Sequence, residues 1–339
     1  MSGKVAAFFK GHKILVSIIA VFIVAAIVVP SVCVSLLTIP KVDKADRVSE
    51  GIKPTAEDLS VAEKYDRVVI FGVDGAGGTF GTFVTPNFDR IFGEGNINQN
   101  GTAQYPTMSG PNWASMFCGV TAQKHQITND KAKSFKKSGK YPTFFKTYSD
   151  GHADATFYSV VNWEPINHGI IEDDIPGMTK VNVTSFVDKK DSDKVDQNVA
   201  LLAVERIKEH DDAITYLHFD SVDHAGHAHG NASPEYAEAI NKVDGYIGMV
   251  YDAYVAQGKA DNTLFICVSD HGHTAKGGHG KESGSEKLTT LALSGKTVKK
   301  GTSKKYVTHD LASIVLFALG VAQPDYYDGG VPQGIFNTL

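Results

Sequence analysis

Val68-Val69-Ile70-Phe71-Gly72-Val73-Asp74 and Leu264-Phe265-Ile266-Cys267-Val268-Ser269-Asp270-His271 share one design, a short β-branched and aromatic run that ends on metal-binding side chains. Such a run reads as a strand buried on both faces. Each Asp then emerges at a strand's C-terminal end, the edge of an open α/β sheet where ligands bind. A third run, from Ile214, leads to Asp223 and His227, and His279 stands in the glycine-rich Gly277-Gly278-His279-Gly280. These six Asp and His groups could surround a pair of divalent metals. The pattern is that of a metallohydrolase.

Strands and helices alternate outward from these runs. A helix is expected from Ser109 to Pro111 onward, a strand over 155–161, and a helix over 193–210 with Val195, Val199 and Leu202 on one face. Ser233-Pro234-Glu235 is an N-cap followed by proline in the first turn, and Ile240, Val243, Ile247 and Val250 then recur at helical spacing. Thr308 opens a last helix that stops at Gly320. The alternation predicts an α/β fold with a mainly parallel central sheet and helices on both faces.

The chain has 339 residues, of which 42% are hydrophobic, enough for one large catalytic domain, placed here at 67–339. Its net charge of −5 disfavours a nucleic-acid-binding surface. Cys33, Cys118 and Cys267 offer neither a disulfide framework nor a cysteine metal site. No charged residue occurs from Ile14 to Pro40, and twenty helical residues at about 1.5 Å each cross a hydrocarbon core of about 30 Å. Residues 14–40 are therefore expected to be a single transmembrane anchor. Lys4, Lys10 and Lys13 keep residues 1–13 cytoplasmic and put the catalytic domain outside the cell membrane. A cleaved signal peptide is the rival, but the apolar run is long for one and lacks a small-residue cleavage site. Residues 41–66, with Pro54 and scattered charges, read as a stalk.

In Tyr105-Pro106-Thr107-Met108-Ser109-Gly110-Pro111-Asn112-Trp113 a serine stands where a helix begins. Ser109 could be only a helix cap. A helix N-terminus also presents free N–H groups that suit a phosphoryl group, and metal ligation would activate the hydroxyl without a histidine base.

With Phe71-Gly72-Val73-Asp74-Gly75, Pro106 to Asn112, Asp223-His224-Ala225-Gly226-His227, Ser269-Asp270-His271-Gly272 and Gly278-His279-Gly280 in this order, the chain resembles the alkaline phosphatase superfamily. Within it, the type I phosphodiesterase/nucleotide pyrophosphatase branch is the most similar. The resemblance runs from Val68 to the C-terminus. It implies a phosphoester hydrolase with two zinc ions, one held by Asp223, His227 and His279 and the other by Asp74, Asp270, His271 and the Ser109 oxygen. Ser109 would be the nucleophile of a two-step reaction, and Asn129 is similar to the family's phosphate-binding asparagine, although one residue closer to the nucleophile. Asp220, His224, His229 and His273 crowd the same segments and read as supporting or loop residues. Trp113 reads as core.

Nucleotide-hydrolysing members place an aromatic residue just after the nucleophile, where this chain has Gly110, so a nucleotide preference is in doubt. The arginine and third metal of monoester-selective phosphatases have no counterpart here. A diester or phosphonate-like monoanion, on a phosphorylated small molecule or a lipid headgroup, is expected ahead of the alternative of a phosphomonoester, and the lysines at 131, 133, 136, 137 and 140 read as a solvated loop. A sulfatase would need an arginine where Trp113 stands. A membrane phospho-headgroup transferase would share metals and anchor and use an acceptor alcohol in place of water. A non-catalytic surface binding module would have lost ligands, and none is missing.

Overall fold

The computed structural model describes residues 45–133 and 139–339. The main elements in chain order are α1 (Ala56–Val61), β1 (Arg67–Val73), α2 (Pro86–Phe92), β2 (Asn96–Thr102), α3 (Ser109–Cys118), β3 (Phe157–Val161), β4 (Met178–Asn182), α4 (Ser192–Glu209), β5 (Ile214–Phe219), α5 (Ser221–His229), α6 (Pro234–Ala256), β6 (Thr263–Val268), β7 (Leu288–Ser294) and α7 (Leu311–Ala318). One sheet of seven strands runs β2-β7-β6-β1-β5-β3-β4. Only β7 opposes the common direction, since it is antiparallel to both β6 and β2 while the other neighbours pair in parallel. The expected α/β architecture with a mainly parallel sheet is what forms.

The unbroken apolar run of β1 follows from burial on both faces. Val68 and Ile70 pack with Trp113, Phe117 and Leu316, from α3 and α7. Val69, Phe71 and Val73 face the other way, among Phe92, Val199 and Val243 from α2, α4 and α6. Gly72 interrupts the run for a steric reason. A Cβ there would lie 2.8 Å from the Trp113 ring and 2.6 Å from the Tyr216 hydroxyl. The missing side chain lets Trp113 lie against the strand two residues before Asp74.

The α6 helix begins as its sequence dictates, with Ser233 Oγ accepting from Tyr236 N and Pro234 in the first turn. Its Ile240, Val243, Ile247 and Val250 are all buried. Strand β3 starts at Phe157, two residues later than expected, and α4 starts one earlier, at Ser192, where Asp191 caps it. Strand β2 (Asn-Ile-Asn-Gln-Asn-Gly-Thr) has almost no apolar signal. Tertiary contacts hold it instead: Asn96 Nδ2 donates to the carbonyls of Lys299 and Gly334, and Asn98 Nδ2 to those of Ser303 and Lys304.

The described part of the expected stalk is not a free linker. Arg47 is fully buried, Ile52 bridges to Val331, Ser49 donates to Asp310, and α1 carries a capping box between Thr55 and Asp58. Polar composition misled the sequence reading because these residues pack through hydrogen bonds and one buried guanidinium. The expected anchor at 14–40 and the cytoplasmic segment 1–13 lie outside the described residues. Among the described residues no helix is long and apolar enough to cross a membrane.

Candidate active site

At the C-terminal edge of β1, Asp74 is fully buried, and its two carboxylate oxygens have different surroundings. Oδ2 accepts from Trp113 Nε1 at 2.9 Å and from His218 Nε2 at 3.1 Å. The His218 tautomer follows from its other nitrogen, since Nδ1 accepts from the backbone N–H of Trp163, so the ring hydrogen sits on Nε2. With Oδ2 so occupied, Oδ1 is the atom presented to Ser109 Oγ and His271 Nε2, each 3.4 Å away. Burial alone would raise this carboxyl, but the His218 hydrogen bond, the neighbouring His271 and the Trp113 bond together hold it well below the usual range.

Ser109 is the first residue of α3, behind an N-cap at Met108. Its side chain does not cap the helix. Oγ turns instead toward Asp74 Oδ1 and, at 3.3 Å, His271 Nε2. Asp270 and His271 follow β6, the neighbour of β1, so their arrival beside Asp74 is a consequence of sheet order. Asp270 Oδ1 accepts from the N–H groups of Gly75 and His271, whereas Oδ2 is buried and accepts no hydrogen bond.

A second cluster stands beside the first. Asp223 and His227 are one turn apart on α5, with Oδ2 to Nε2 3.4 Å, so the helix makes them converge. His279 approaches from the glycine-rich loop and brings Nε2 within 3.0 Å of His227 Nε2 and 3.6 Å of Asp223 Oδ1. Its Nδ1 lies 2.7 Å from the Thr107 carbonyl, a contact in which the ring must donate. Nε2 is therefore the nitrogen that faces the cluster. His273 is fully buried with Nε2 2.8 Å from Asp223 Oδ1, which makes it an orienting neighbour of that carboxylate.

The ligand atoms of Asp223, His227, His273 and His279 lie within 4.8 Å of one another, as do those of Asp74, Asp270 and His271. Burial, and then the charge of Asp74, push the Asp223 and Asp270 carboxyls well above their ordinary value. Burial, with His279 next, lowers His271 strongly and brings His273 down to about 3. The lowered imidazoles of His227, His271 and His273 beside crowded carboxyls, one buried oxygen lacking any donor, form two donor sets that divalent cations would ionise and hold together. The residues fit a pair of such ions.

The family model described as Type I phosphodiesterase / nucleotide pyrophosphatase matches residues 68–279, more than half of the chain. The chain belongs to that family. GPI ethanolamine phosphate transferase 2 of Aspergillus fumigatus is 25% identical over 236 residues, 67% of this chain and 30% of the transferase. The chain thus matches about a third of that relative's length. Among solved structures, murine ectonucleotide pyrophosphatase / phosphodiesterase 5, an inactive form in complex with AMP, superposes with a TM-score of 0.59 at 15% identity, covering 77% of this chain and 96% of that one. A Vibrio parahaemolyticus protein of the alkaline phosphatase superfamily gives 0.60 at 16% identity, covering 84% of this chain and 75% of that one. The fold is alkaline-phosphatase-like, and the family is one of phosphoester-acting enzymes.

Around this phosphodiesterase-family centre is a cleft of about 460 Å³ lined by Ser109, Asn129, Trp163, Asp220, Asp223, His224, His227, Ala228 and His279. Asn129 Oδ1 accepts from Gly110 N at 2.7 Å, so the group its side chain has left to offer a ligand is the NH2. Asp220, at the N-cap of α5, and His224, one turn into it, pair at 3.1 Å on the same wall. His229 ends α5, exposed, away from both clusters. Of the lysines, 136 and 137 lie outside the described residues, while Lys131 and Lys133 are exposed, as expected of a solvated loop.

Sequence reasoning missed His218, Trp163, Thr107 and Asp196, and took Trp113 for packing alone. Asp196 of α4 is fully buried and accepts from the backbone N–H groups of Asp220 and Ser221, which fixes the entry to α5. An Asp inside an otherwise apolar helix face was the available signal. His218 had a comparable one, a polar residue inside a buried strand.

Proposed function

We propose that this chain is a metal-dependent phosphoester hydrolase of phosphodiesterase type, with Ser109 as its nucleophile. The observation that carries the reading is the first-turn serine whose oxygen turns away from its helix to sit between Asp74 Oδ1 and His271 Nε2. Asp223, His227 and His279 would hold one divalent metal, and Asp74, Asp270, His271 and the Ser109 oxygen a second, with zinc matched to these nitrogen and oxygen donors. The chemistry that such a pair supplies is neutralisation of charge on the phosphoryl and leaving oxygens.

The chain's own residues do the rest. Asp74 Oδ1 accepts the Ser109 hydrogen, leaving an oxygen lone pair for phosphorus. The new Ser109–phosphorus bond displaces the alcohol, which takes the proton from Asp74, and water then opens the phosphoryl-serine, its oxygen bonding to phosphorus and one of its hydrogens returning to Ser109 Oγ. The Asn129 NH2 and the first turn of α3 meet the non-bridging oxygens. In this reading the catalytic domain works outside the cell membrane, tethered by residues 14–40.

The likeness to an ethanolamine phosphate transferase supports a second reading, in which an acceptor alcohol replaces water and the donor is a lipid headgroup. Both readings are tested by the zinc-loaded full chain and its Ser109→Ala variant on bis-p-nitrophenyl phosphate, p-nitrophenyl phosphate and p-nitrophenyl sulfate, with and without an added amino alcohol. Serine-dependent preference for the diester is expected. Turnover that survives Ser109→Ala would refute the nucleophile, and release that requires the alcohol would favour transfer.

A further inference from the structure

The segment before the catalytic domain reaches the two loops that carry the nucleophile and His279. Arg47 has no exposed surface. Its Nε donates to the Ala103 carbonyl at 2.7 Å, its Nη2 to Glu282 Oε2 at 3.0 Å, and the guanidinium lies 5.8 Å from the centre of the Tyr105 ring. Beside it, Lys287 Nζ donates to Asp46 Oδ2 at 2.7 Å. Ala103 and Tyr105 belong to the stretch that ends at Ser109, and Glu282 to the one that starts at His279.

Those two loops are also joined near the metal clusters, by Thr107. Its Oγ1 donates to the Lys281 carbonyl and accepts from Gly280 N, and its carbonyl accepts from His279 Nδ1. Thr107 is thus an inner clasp that sets both the ring direction of His279 and the loop entering α3. Arg47 is an outer clasp on the same pair of loops. A fully buried guanidinium is retained at considerable desolvation cost, and its planar fork of donors suits holding two partners at a fixed separation. Lysine could not reproduce both bonds.

We propose that Arg47 is a positioning residue for the catalytic centre: it fixes the distance between the nucleophile loop (103–109) and the histidine loop (277–286), and so the approach of His279 to Asp223 and His227. The inference rests on the reading of Ser109 and His279 given above. Residues that support a ligand without touching the metal change metal affinity or activity by about 10- to 100-fold when altered. An effect of that size is expected from Arg47.

The test uses the full chain as wild type, Arg47→Ala, Arg47→Lys and Lys53→Ala. Lys53 lies in the same segment but donates to the Tyr327 carbonyl, away from both loops, so its loss reports segment docking alone. Zinc affinity is measured on the metal-stripped proteins by competition with a chromophoric chelator, alongside thermal unfolding and kcat/KM on the diester. Arg47→Ala should weaken one of two zinc sites and lower kcat/KM, each by about 10- to 100-fold. Ethylguanidinium should restore both by filling the vacated space, Arg47→Lys should stay impaired, and Lys53→Ala should change Tm without changing zinc affinity. If Arg47→Ala does not fold, Arg47→Lys carries the same comparison. Wild-type zinc affinity and kcat/KM in the Arg47 variant that folds would overturn the proposal. So would equal losses in Lys53→Ala with no rescue. Zinc binding that is absent from wild type, or turnover that persists in Ser109→Ala, would instead fall on the underlying reading of the site.

Discussion

Asp270→Asn should move the stability of the metal-free and metal-loaded protein in opposite directions. In the structure Asp270 Oδ1 has two backbone donors and Oδ2 has none, with His271 Nε2 3.2 Å from it. A neighbouring backbone contact fixes the His271 hydrogen, since Nδ1 lies 3.3 Å from the Gly272 carbonyl and must donate to it, which leaves a lone pair on Nε2. Asparagine keeps the Oδ1 bonds and puts an NH2 donor where the undonated oxygen stood. Leaving one buried polar atom unmade costs about 1–3 kcal/mol. Relieving it should raise the metal-free Tm by roughly 2–4 °C per kcal/mol for a domain of a few hundred residues. With zinc at about a hundred times its Kd, the wild type gains about 2.7 kcal/mol per site, and the variant lacks a charged ligand at one of them. The assay is thermal unfolding of both proteins, chelator-stripped and zinc-loaded, at neutral pH. The variant should be the more stable of the two when stripped and the less stable when loaded. A variant less stable in both states would refute the assignment of Oδ2 as an unmet metal ligand. The pH dependence has a definite sign. Asp223 and Asp270 have raised folded pKa values, so the metal-free fold loses stability as pH rises above the unfolded value of about 3.9; Asp74, held low, contributes stability above that value and loses it only as pH falls below it.

Trp113→Phe keeps the ring in the core and deletes one donor to Asp74 Oδ2, so it should cost about 1.5–3 kcal/mol and lower kcat/KM about 10- to 100-fold; unchanged turnover would return Trp113 to packing alone. Gly110→Ala puts a Cβ 2.7 Å from the Asn129 backbone nitrogen, so it should raise KM by displacing Asn129, and a double-mutant cycle with Asn129→Ala should show strong non-additivity. Asp310, which accepts from Val307 N, Gly330 N and Ser49 Oγ, is pushed up to about 7 by burial. Its folded pKa is raised, so the stability it contributes is lost as pH rises from about 4 toward 7, and Asp310→Asn should flatten that part of the profile, read from urea midpoints at about pH 5 and about pH 8.

The parts of this molecule legible in its sequence are those where one physical demand dominates. Strands β1, β5 and β6 are buried on both faces and so spell themselves out mainly in β-branched, aliphatic and aromatic residues. Asp74, Asp270 and His271 are legible because a polar residue ending such a run has one place to go, the strand's C-terminal edge. The α6 helix is legible from its cap, its proline and its apolar spacing. Strand β2 is illegible because asparagine side chains, bonding to distant carbonyls, hold a sequence with little strand preference of its own. Residues 45–53 are illegible for a related reason. Burial of Arg47 depends on Ala103 and Glu282, which are distant in sequence. His218 and Trp113 show the same limit at the site, since each acts through Asp74, and no spacing in the sequence announces an orienting partner.

The glycine after Ser109 has a structural meaning that the sequence hid. An aromatic side chain at position 110 would not merely be missing; its volume is taken. The atoms nearest a Cβ at Gly110 are the Asn129 backbone nitrogen at 2.7 Å, the Asn129 side-chain Oδ1 at 2.8 Å and the Thr128 carbonyl carbon at 2.8 Å, and the two backbone atoms cannot swing aside. The loop has closed onto the helix and committed Asn129 Oδ1 to Gly110 N in doing so. Any group that a substrate presents beyond the phosphorus must therefore be met elsewhere in the cleft. Among the described residues the indole lining it is that of Trp163, from the turn after β3, and the polar groups there outside the two ligand clusters include Asn129 and the Asp220–His224 pair. Under the proposed function, discrimination between leaving groups would thus pass from the first turn of α3 to the wall formed by the β3 turn and α5. Because Asp196 fixes the start of α5, and the Trp163 N–H fixes the tautomer of His218, that wall and the clustered carboxylates share one set of supports.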